Sequence, residues 1–403
     1  MHGETPDSLL LRGGFPDAMS LTAAESSAEQ ASPWEKVPLE GATCGGPPSP
    51  DTGQRLQYAY YLNAVEEPEG ILFMLSGGGA CLKEGDPPPG ASGIAAQLYC
   101  KSYTNFQDPV MNDLLFGSAA PALALPYVRR NDQANPFRNF VFVAVPYCTG
   151  DVHAGNMTEP YDYDPDPDAE FMVLHRGHLN VQAVVDDVYA RYSQDLPVVL
   201  TGFSAGGFGS IYNFPIVVEK WPRTTLIPDA GFAPPHPGSL LALQGERIAE
   251  RWGARALMPD YCAEGDCLAD TMSLLAAHAK AHDGSGDRPW RPFGYLQGQQ
   301  DSVLSSYLEI TKCGYEVSLM QGMTRFGDNV RGFVPATDKH VFGVVNPLEQ
   351  AYRSVRGVDP FEWVYQLARA EGPEELPPDA IDGWLPCNAL FTPLLSPLPG
   401  PAR

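Results

Sequence analysis

Residues 197–210 read PVVLTGFSAGGFGS, and the fold turns on how this stretch is read. Val198, Val199 and Leu200 form a short apolar run of the kind that makes a strand buried on both faces. Gly202-Phe203-Ser204-Ala205-Gly206 then fits Gly-x-Ser-x-Gly, the pattern of a sharp strand-to-helix turn. Such a turn needs small residues beside the serine, because the backbone folds back too tightly for side chains. It lifts the serine hydroxyl clear of the sheet and aims the first N–H groups of the next helix toward it. Ser204 is therefore the candidate nucleophile. The plain alternative is a glycine-rich turn without chemistry, so the partners supplied by the rest of the chain decide.

Moving outward, Ile71–Leu75 (ILFML) and Phe140–Val145 (FVFVAV) are further continuous apolar runs, and Leu56–Leu62 is an aromatic-rich strand candidate. Ile71–Leu75 runs into Ser76-Gly77-Gly78-Gly79-Ala80-Cys81. A triple glycine directly after a buried strand lets backbone N–H groups converge on an anion, since no Cβ intervenes. Val181–Tyr192 carries apolar residues at 181, 184, 185, 188 and 189, one face of a helix. Thr224–Ile227, Phe293–Leu296 and Tyr315–Met320 are the later strand candidates, and Leu348–Ala370 reads as largely helical. Short apolar strands alternating with helices predict an α/β fold, a mainly parallel sheet covered by helices on both faces with loop and helical insertions, and the Gly-x-Ser-x-Gly elbow makes it α/β-hydrolase-like. Residues 1–55, rich in Pro, Gly, Ser and Ala, are expected to be an arm, 56–388 a single catalytic domain with a cap-like insertion at 233–290, and 389–403 a Pro-rich tail.

A serine hydroxyl becomes a nucleophile when a base takes its proton, and the base needs an orienting carboxylate. In this fold both follow the serine in the chain. Of His236, His278, His282 and His340, only His340 lies in a loop beyond the last expected strand. Asp301, directly after the strand 293–296, is the candidate acid; Asp328 and Asp338 are its rivals, and a helix N-cap is its bland role. Gly79, Ala80 and Ala205 are the candidate oxyanion donors.

Lys and Arg number 26 against 49 Asp and Glu, a formal net charge of −23. That surface repels nucleic acid and anionic membranes and slows association with polyanionic substrates. No apolar run is long enough to span a membrane, and the N-terminal residues lack the basic and apolar regions of a signal peptide. Eight cysteines, without C-x-x-C or zinc spacing, favour disulfides over metal ligation and so a secreted or periplasmic protein, a cytoplasmic one being the alternative, with Cys262 and Cys267 suited to a small loop. The acidic segment 161–170 lacks EF-hand spacing and reads as a solvated loop. No metal or cofactor is expected, and a monomer is.

Four blocks, SGGGAC at 76–81, PYCTGDVHAG at 146–155, TGFSAGGFG at 201–209 and DAGF at 229–232, together resemble the pectin acetylesterase/Notum family of carboxylester hydrolases. The resemblance spans roughly residues 50–345. It implies carboxylic ester hydrolysis on Ser204, Asp301 and His340, with Gly79, Ala80 and Ala205 as oxyanion donors and Gly78, Asp151, His153 and Asp229 near the substrate. Members of that family deacetylate pectin or remove a fatty acyl group from a signalling protein. The expectation here is an acetyl or other short-chain ester, on a small molecule or a carbohydrate such as pectin. A lipid-type deacylase, a thioesterase or an acyltransferase on the same residues, or a silent binding protein, are the alternatives. The family carries Trp at the positions of Ala80 and His153, which points to a differently shaped pocket mouth.

Overall fold

Alternate side chains of the buried strands enter two separate cores, and this is what makes the molecule a three-layer structure. In the strand Gly70–Leu75, Ile71, Phe73 and Leu75 join one apolar cluster, while Leu72 and Met74 join the other. Val141, Val143 and Val145 divide from Phe140, Phe142 and Ala144 in the same way. Continuous apolar runs are therefore required, because each face of the sheet must bury its side chains against helices.

The computed structural model describes residues 34–100 except 50 and 93, 126–162 except 129, 131 and 134, 172–257, 269–342 and 354–387. Among these, the strands in chain order are β1 (Glu35–Thr43), β2 (Gln57–Asn63), β3 (Gly70–Leu75), β4 (Phe140–Val145), β5 (Tyr161–Asp162), β6 (Met172–Val173), β7 (Val198–Phe203), β8 (Thr224–Asp229), β9 (Phe293–Leu296), β10 (Val330–Val334) and β11 (Ala380–Ile381). The helices named below are α1 (Gly177–Arg191), α2 (Ala205–Lys220), α3 (Leu240–Trp252), α4 (Thr271–Ala281), α5 (Ser302–Tyr307), α6 (Lys312–Met323) and α7 (Pro360–Arg369). β5 and β6 form a small antiparallel pair of their own. The other nine strands form one sheet in the order β1-β2-β4-β3-β7-β8-β9-β10-β11. β1–β2 and β2–β4 are antiparallel, and every later pairing is parallel. Helices α1 and α2 contribute Val181, Val184, Val185, Ile211 and Val217 to one core. Trp363, Val364 and Leu367 of α7 fill the other. The expected α/β-hydrolase-like architecture is what the chain adopts.

Three expectations are corrected. Part of the N-terminal arm is a sheet strand: β1 alternates buried Val37 and Leu39 with exposed neighbours and pairs with β2. Its Pro38 is tolerated because β1 is an edge strand. Tyr315–Met320 is helical, within α6, where Thr311 caps the N-terminus by accepting the Gly314 N–H at 2.9 Å. The strand next to β9 is instead β10, inside the segment expected to be loop. Gly332 sits there because any Cβ would meet the Tyr295 hydroxyl.

Disulfides join Cys44 to Cys148, Cys81 to Cys100 and Cys313 to Cys387. Cys262 and Cys267, most of the acidic segment and the tail 389–403 lie outside the described residues. Cys44–Cys148 closes a sequence separation of 104 residues between the end of β1 and the loop after β4. Replacing both with Ala is expected to lower the unfolding free energy by about 2–5 kcal/mol, read from urea melts of the two oxidised proteins.

Candidate active site

The site is built where parallel strands end. β7 runs into Ser204, which takes φ 56° and ψ −123°, a conformation uncommon for a residue with a side chain. It persists because its surroundings allow nothing else. The Ser204 N–H donates to the Asp229 carbonyl at 2.9 Å, tying the turn to the end of β8. A Cβ on Gly206 would lie 1.9 Å from the Leu75 carbonyl oxygen, and one on Gly202 would lie 2.2 Å from the Gly206 oxygen. Glycine is thus obligatory on both sides of the serine.

The triple-glycine loop after β3 lies against the same turn. A Cβ on Gly77 would come within 2.7 Å of the Phe203 carbonyl oxygen and 2.9 Å of the Ser204 Cβ. Gly79 has φ +91°, open to glycine and costly for other residues. Gly79, Ala80, Ser204 and Ala205 line one cavity. The N–H groups of Gly79, Ala80 and Ala205 have no acceptor among the described residues. Free donors bordering a cavity are what an anion, or a carbonyl oxygen gaining charge, requires.

Asp301 and His340 are brought together across 39 residues of sequence: Asp301 Oδ2 accepts from His340 Nδ1 at 2.8 Å. The carboxylate is fully buried. Its Oδ1 accepts the N–H groups of Val303 and Leu304 at 3.0 and 2.9 Å, capping α5. Gln297 Nε2 donates to Oδ2 at 3.0 Å. Helix cap and partner of histidine are therefore two jobs of one side chain. An oxygen surrounded by donors can only accept, so Nδ1 carries the proton and His340 Nε2 presents a lone pair. Nε2 is buried and has no hydrogen-bond partner.

Asp229 links the two halves. Its carbonyl holds Ser204, while its buried carboxylate accepts the Phe342 N–H at 3.1 and 2.8 Å, two residues past His340. The rival acid Asp338 instead pairs with Lys312 at 2.7 Å. His278 is buried, donates from Nε2 to the Ile211 carbonyl at 3.0 Å, and is held neutral by burial, which drives its pKa to about 3. His236 takes the Gly238 N–H on Nδ1 at 3.2 Å.

Asp151 and His153 are both buried. The Asp151 carboxylate accepts the Thr149 hydroxyl at 2.6 Å, the His153 N–H at 3.1 Å and the Gly177 N–H at 2.7 Å. Burial still raises its pKa to about 6. His153 donates from Nε2 to the Ser76 carbonyl at 2.9 Å. Gln297 and the amide of Phe342 were not singled out from sequence; the one signal for Gln297 is a polar residue at a strand's carboxyl end, four before Asp301.

The cavity, about 40 Å³ in volume, is walled by Leu82, Val152, Phe208, Leu241, Trp252 and Leu304, among others. Its exposed lining is almost entirely apolar. An ester bound with its carbonyl at Ser204 would lay one substituent along apolar walls.

The pectinacetylesterase family model matches residues 125–235, which hold the PYCTGDVHAG, TGFSAGGFG and DAGF blocks. No curated protein matches the chain. Among solved structures, the Wnt deacylase Notum from Drosophila is similar in two crystal forms. One aligns with a TM-score of 0.58 at 15% identity, covering 87% of this chain and 97% of that one. The other aligns at 0.53 and 13%, covering 82% and 91%. At such identities the likeness is one of fold. The resemblance read from the sequence blocks is borne out by the family match over residues 125–235 and by the shared fold. The matched segment stops short of Asp301 and His340, so their contact is an independent observation.

Asp301→Asn keeps the shape but turns an NH2 toward groups that are themselves donors. It is expected to cost about 1–3 kcal/mol of stability, measured by denaturant melts, since buried donors lose their acceptor.

Proposed function

We propose that the chain is a serine carboxylester hydrolase that works through an acyl-enzyme on Ser204. The observation that carries this reading is the buried Asp301–His340 pair, which leaves Nε2 as an unoccupied base, beside the separate finding of a serine held in a strained turn. His340 Nε2 takes the hydroxyl proton as Ser204 Oγ attacks the acyl carbon. The charge that develops on the carbonyl oxygen meets the free N–H groups of Gly79, Ala80 and Ala205, each worth a few kcal/mol of barrier (about 3–4). His340 then gives the proton to the leaving alkoxide, and a water repeats the sequence to release the acid. Asp301 holds the imidazole in the tautomer both steps need.

The acyl group is the part of the expectation that the cavity modifies. Acetyl would leave apolar walls such as Leu241, Trp252 and Leu304 in contact with water. Each methylene transferred onto such walls is worth about 0.8 kcal/mol, or roughly fourfold in kcat/KM. A chain longer than acetyl is therefore favoured. The alcohol side is less suited to a polyanion: the protein carries a formal charge of −23, and Arg130 donates to Asn63 and to the Phe140 carbonyl and stacks on Phe142 rather than facing a ligand. Disulfides at three pairs among the described residues suit work in an oxidising compartment.

Nitrophenyl esters from acetyl to palmitoyl test both halves. kcat/KM is expected to rise at least about tenfold from acetyl to hexanoyl, and a maximum at acetyl would overturn the acyl assignment. Ser204→Ala and His340→Ala should each lower kcat by about 10⁴-fold or more; esterase turnover surviving in Ser204→Ala would overturn the mechanism.

A further inference from the structure

The loop after β4, Pro146–Gly155, grips both ends of the triple-glycine loop. At the near end, His153 Nε2–H donates to the Ser76 carbonyl at 2.9 Å. At the far end, the Cys81 N–H donates to the Gly150 carbonyl at 2.8 Å. Between those anchors stand Gly77, Gly78, Gly79 and Ala80, four residues whose own side chains hold nothing. Glycines confer reach at the cost of stiffness, so the loop's donors stay aimed only if something outside it fixes the backbone.

His153 is built for that task. It is buried, and both Val152 and His153 adopt left-handed backbone, with φ 47° and 60°. Two such residues in a row are costly and are retained where the surroundings over-determine them. The surroundings here are specific. Asp151 accepts the His153 N–H, and the same carboxylate is fixed by the Gly177 N–H at the start of α1. Asn213 of α2 donates to the His153 carbonyl at 2.9 Å, and His178 of α1 holds Asn213 Oδ1 at 2.7 Å. A Cβ on Gly209 would touch the imidazole, and one on Gly177 would touch the His153 Cα. The Tyr147 ring lies 4.8 Å from the imidazole, centroid to centroid. The ring is packed between α2 and Tyr147, and a carbonyl can only accept, so Nε2 is the protonated nitrogen. Burial lowers the pKa to about 4 and keeps the ring neutral.

We propose that His153 is a positioning residue for the Ser204 reaction: it transmits the rigidity of α1 and α2, through one hydrogen bond to Ser76, to the backbone donors of Gly79 and Ala80. This rests on the ester-hydrolase reading and adds to it a residue that never touches the substrate. Because the bond acts on donors that matter most when the carbonyl oxygen is charged, its loss should appear in kcat and leave ground-state binding little changed.

The test compares His153→Gln with His153→Met in the full chain. Gln places an N–H near the position of Nε2, while Met fills similar volume without a donor. With the nitrophenyl ester that the wild type hydrolyses best, Met should lower kcat by about 10–100-fold, below the full loss of an oxyanion donor, while KM stays within about threefold. Gln should keep kcat within about fivefold of wild type, with the two variants unfolding at similar temperatures. Equal losses in Gln and Met, including equal loss of folding, would assign His153 to packing and overturn the proposal. A loss confined to KM would also overturn it. A wild type that turns over no ester would remove the hydrolase reading and this proposal together, whereas an active wild type with an unaffected Met variant removes this proposal alone.

Discussion

One close backbone approach sets much of the rest of the structure. Gly206, at the first turn of α2, lies so near the Leu75 carbonyl that no Cβ could fit, and this single crossing locks the start of a helix against the end of a neighbouring strand. From it follow the parallel register of β3 and β7, in which Leu75 faces Gly202. The entry of the triple-glycine loop beside Ser204 follows as well, as does the strained conformation that holds the hydroxyl out of the sheet. Were the helix an ångström farther away, the loop and the serine would no longer share a cavity wall. Strain of this kind survives because neighbouring parts of the structure insist on it from several sides.

Carboxylates do most of the remaining organisation, and they do it by accepting backbone N–H groups. Asp301 caps a helix, Asp229 holds the amide two residues past His340, and Asp151 joins a loop to the start of α1. All three are buried, and Asp151 and Asp301 have no Lys or Arg partner in an ion pair among the described residues. A buried carboxylate without a cation is costly unless N–H and O–H groups replace its water, and here they do. The high acidity of the chain is thus of two kinds: a solvated exterior charge, and a few interior anions that set the geometry of loops.

Much of this was legible in the sequence, and the exceptions have physical causes. ILFML, FVFVAV and the VVLTGF strand declare themselves because both faces are buried, and the elbow declares itself because its glycines are sterically forced. Ser204 and Asp301 could be ordered along the chain because each follows a strand's carboxyl end, whereas His340 was placed beyond an expected strand, 315–320, that is helix, and the strand before it is β10. Tyr315–Met320 misled because a short apolar run has no period long enough to separate helix from strand; Tyr315 and Leu319 are buried at helical spacing. β10 was hidden by Arg331 and Gly332, residues that interrupt an apolar run for reasons residing in the neighbouring strand. β1 was hidden by Pro38 and Gly41, which an edge strand tolerates. The contacts of Asp229 and Gln297 were beyond reach, since both depend on partners far away in sequence.

Phe208 and Tyr212 apart, which continue the helix that starts at Ser204, many walls of the cavity come from elsewhere than its chemistry. Leu241 and Trp252 belong to α3, Leu304 and Tyr307 to α5, and Leu82 to the segment past the glycine loop, whereas Ser204, Asp229, Asp301 and His340 stand at or beyond the ends of strands. Inheritance can therefore treat the two separately. Under the proposed ester hydrolysis, a lineage could exchange α3 residues one at a time and drift from one acyl length to another while Ser204, Asp301 and His340 stayed unchanged. Asp301 marks the limit of that freedom, because it starts α5: any lineage that reshaped this helix from its first turn would be altering its acid as well.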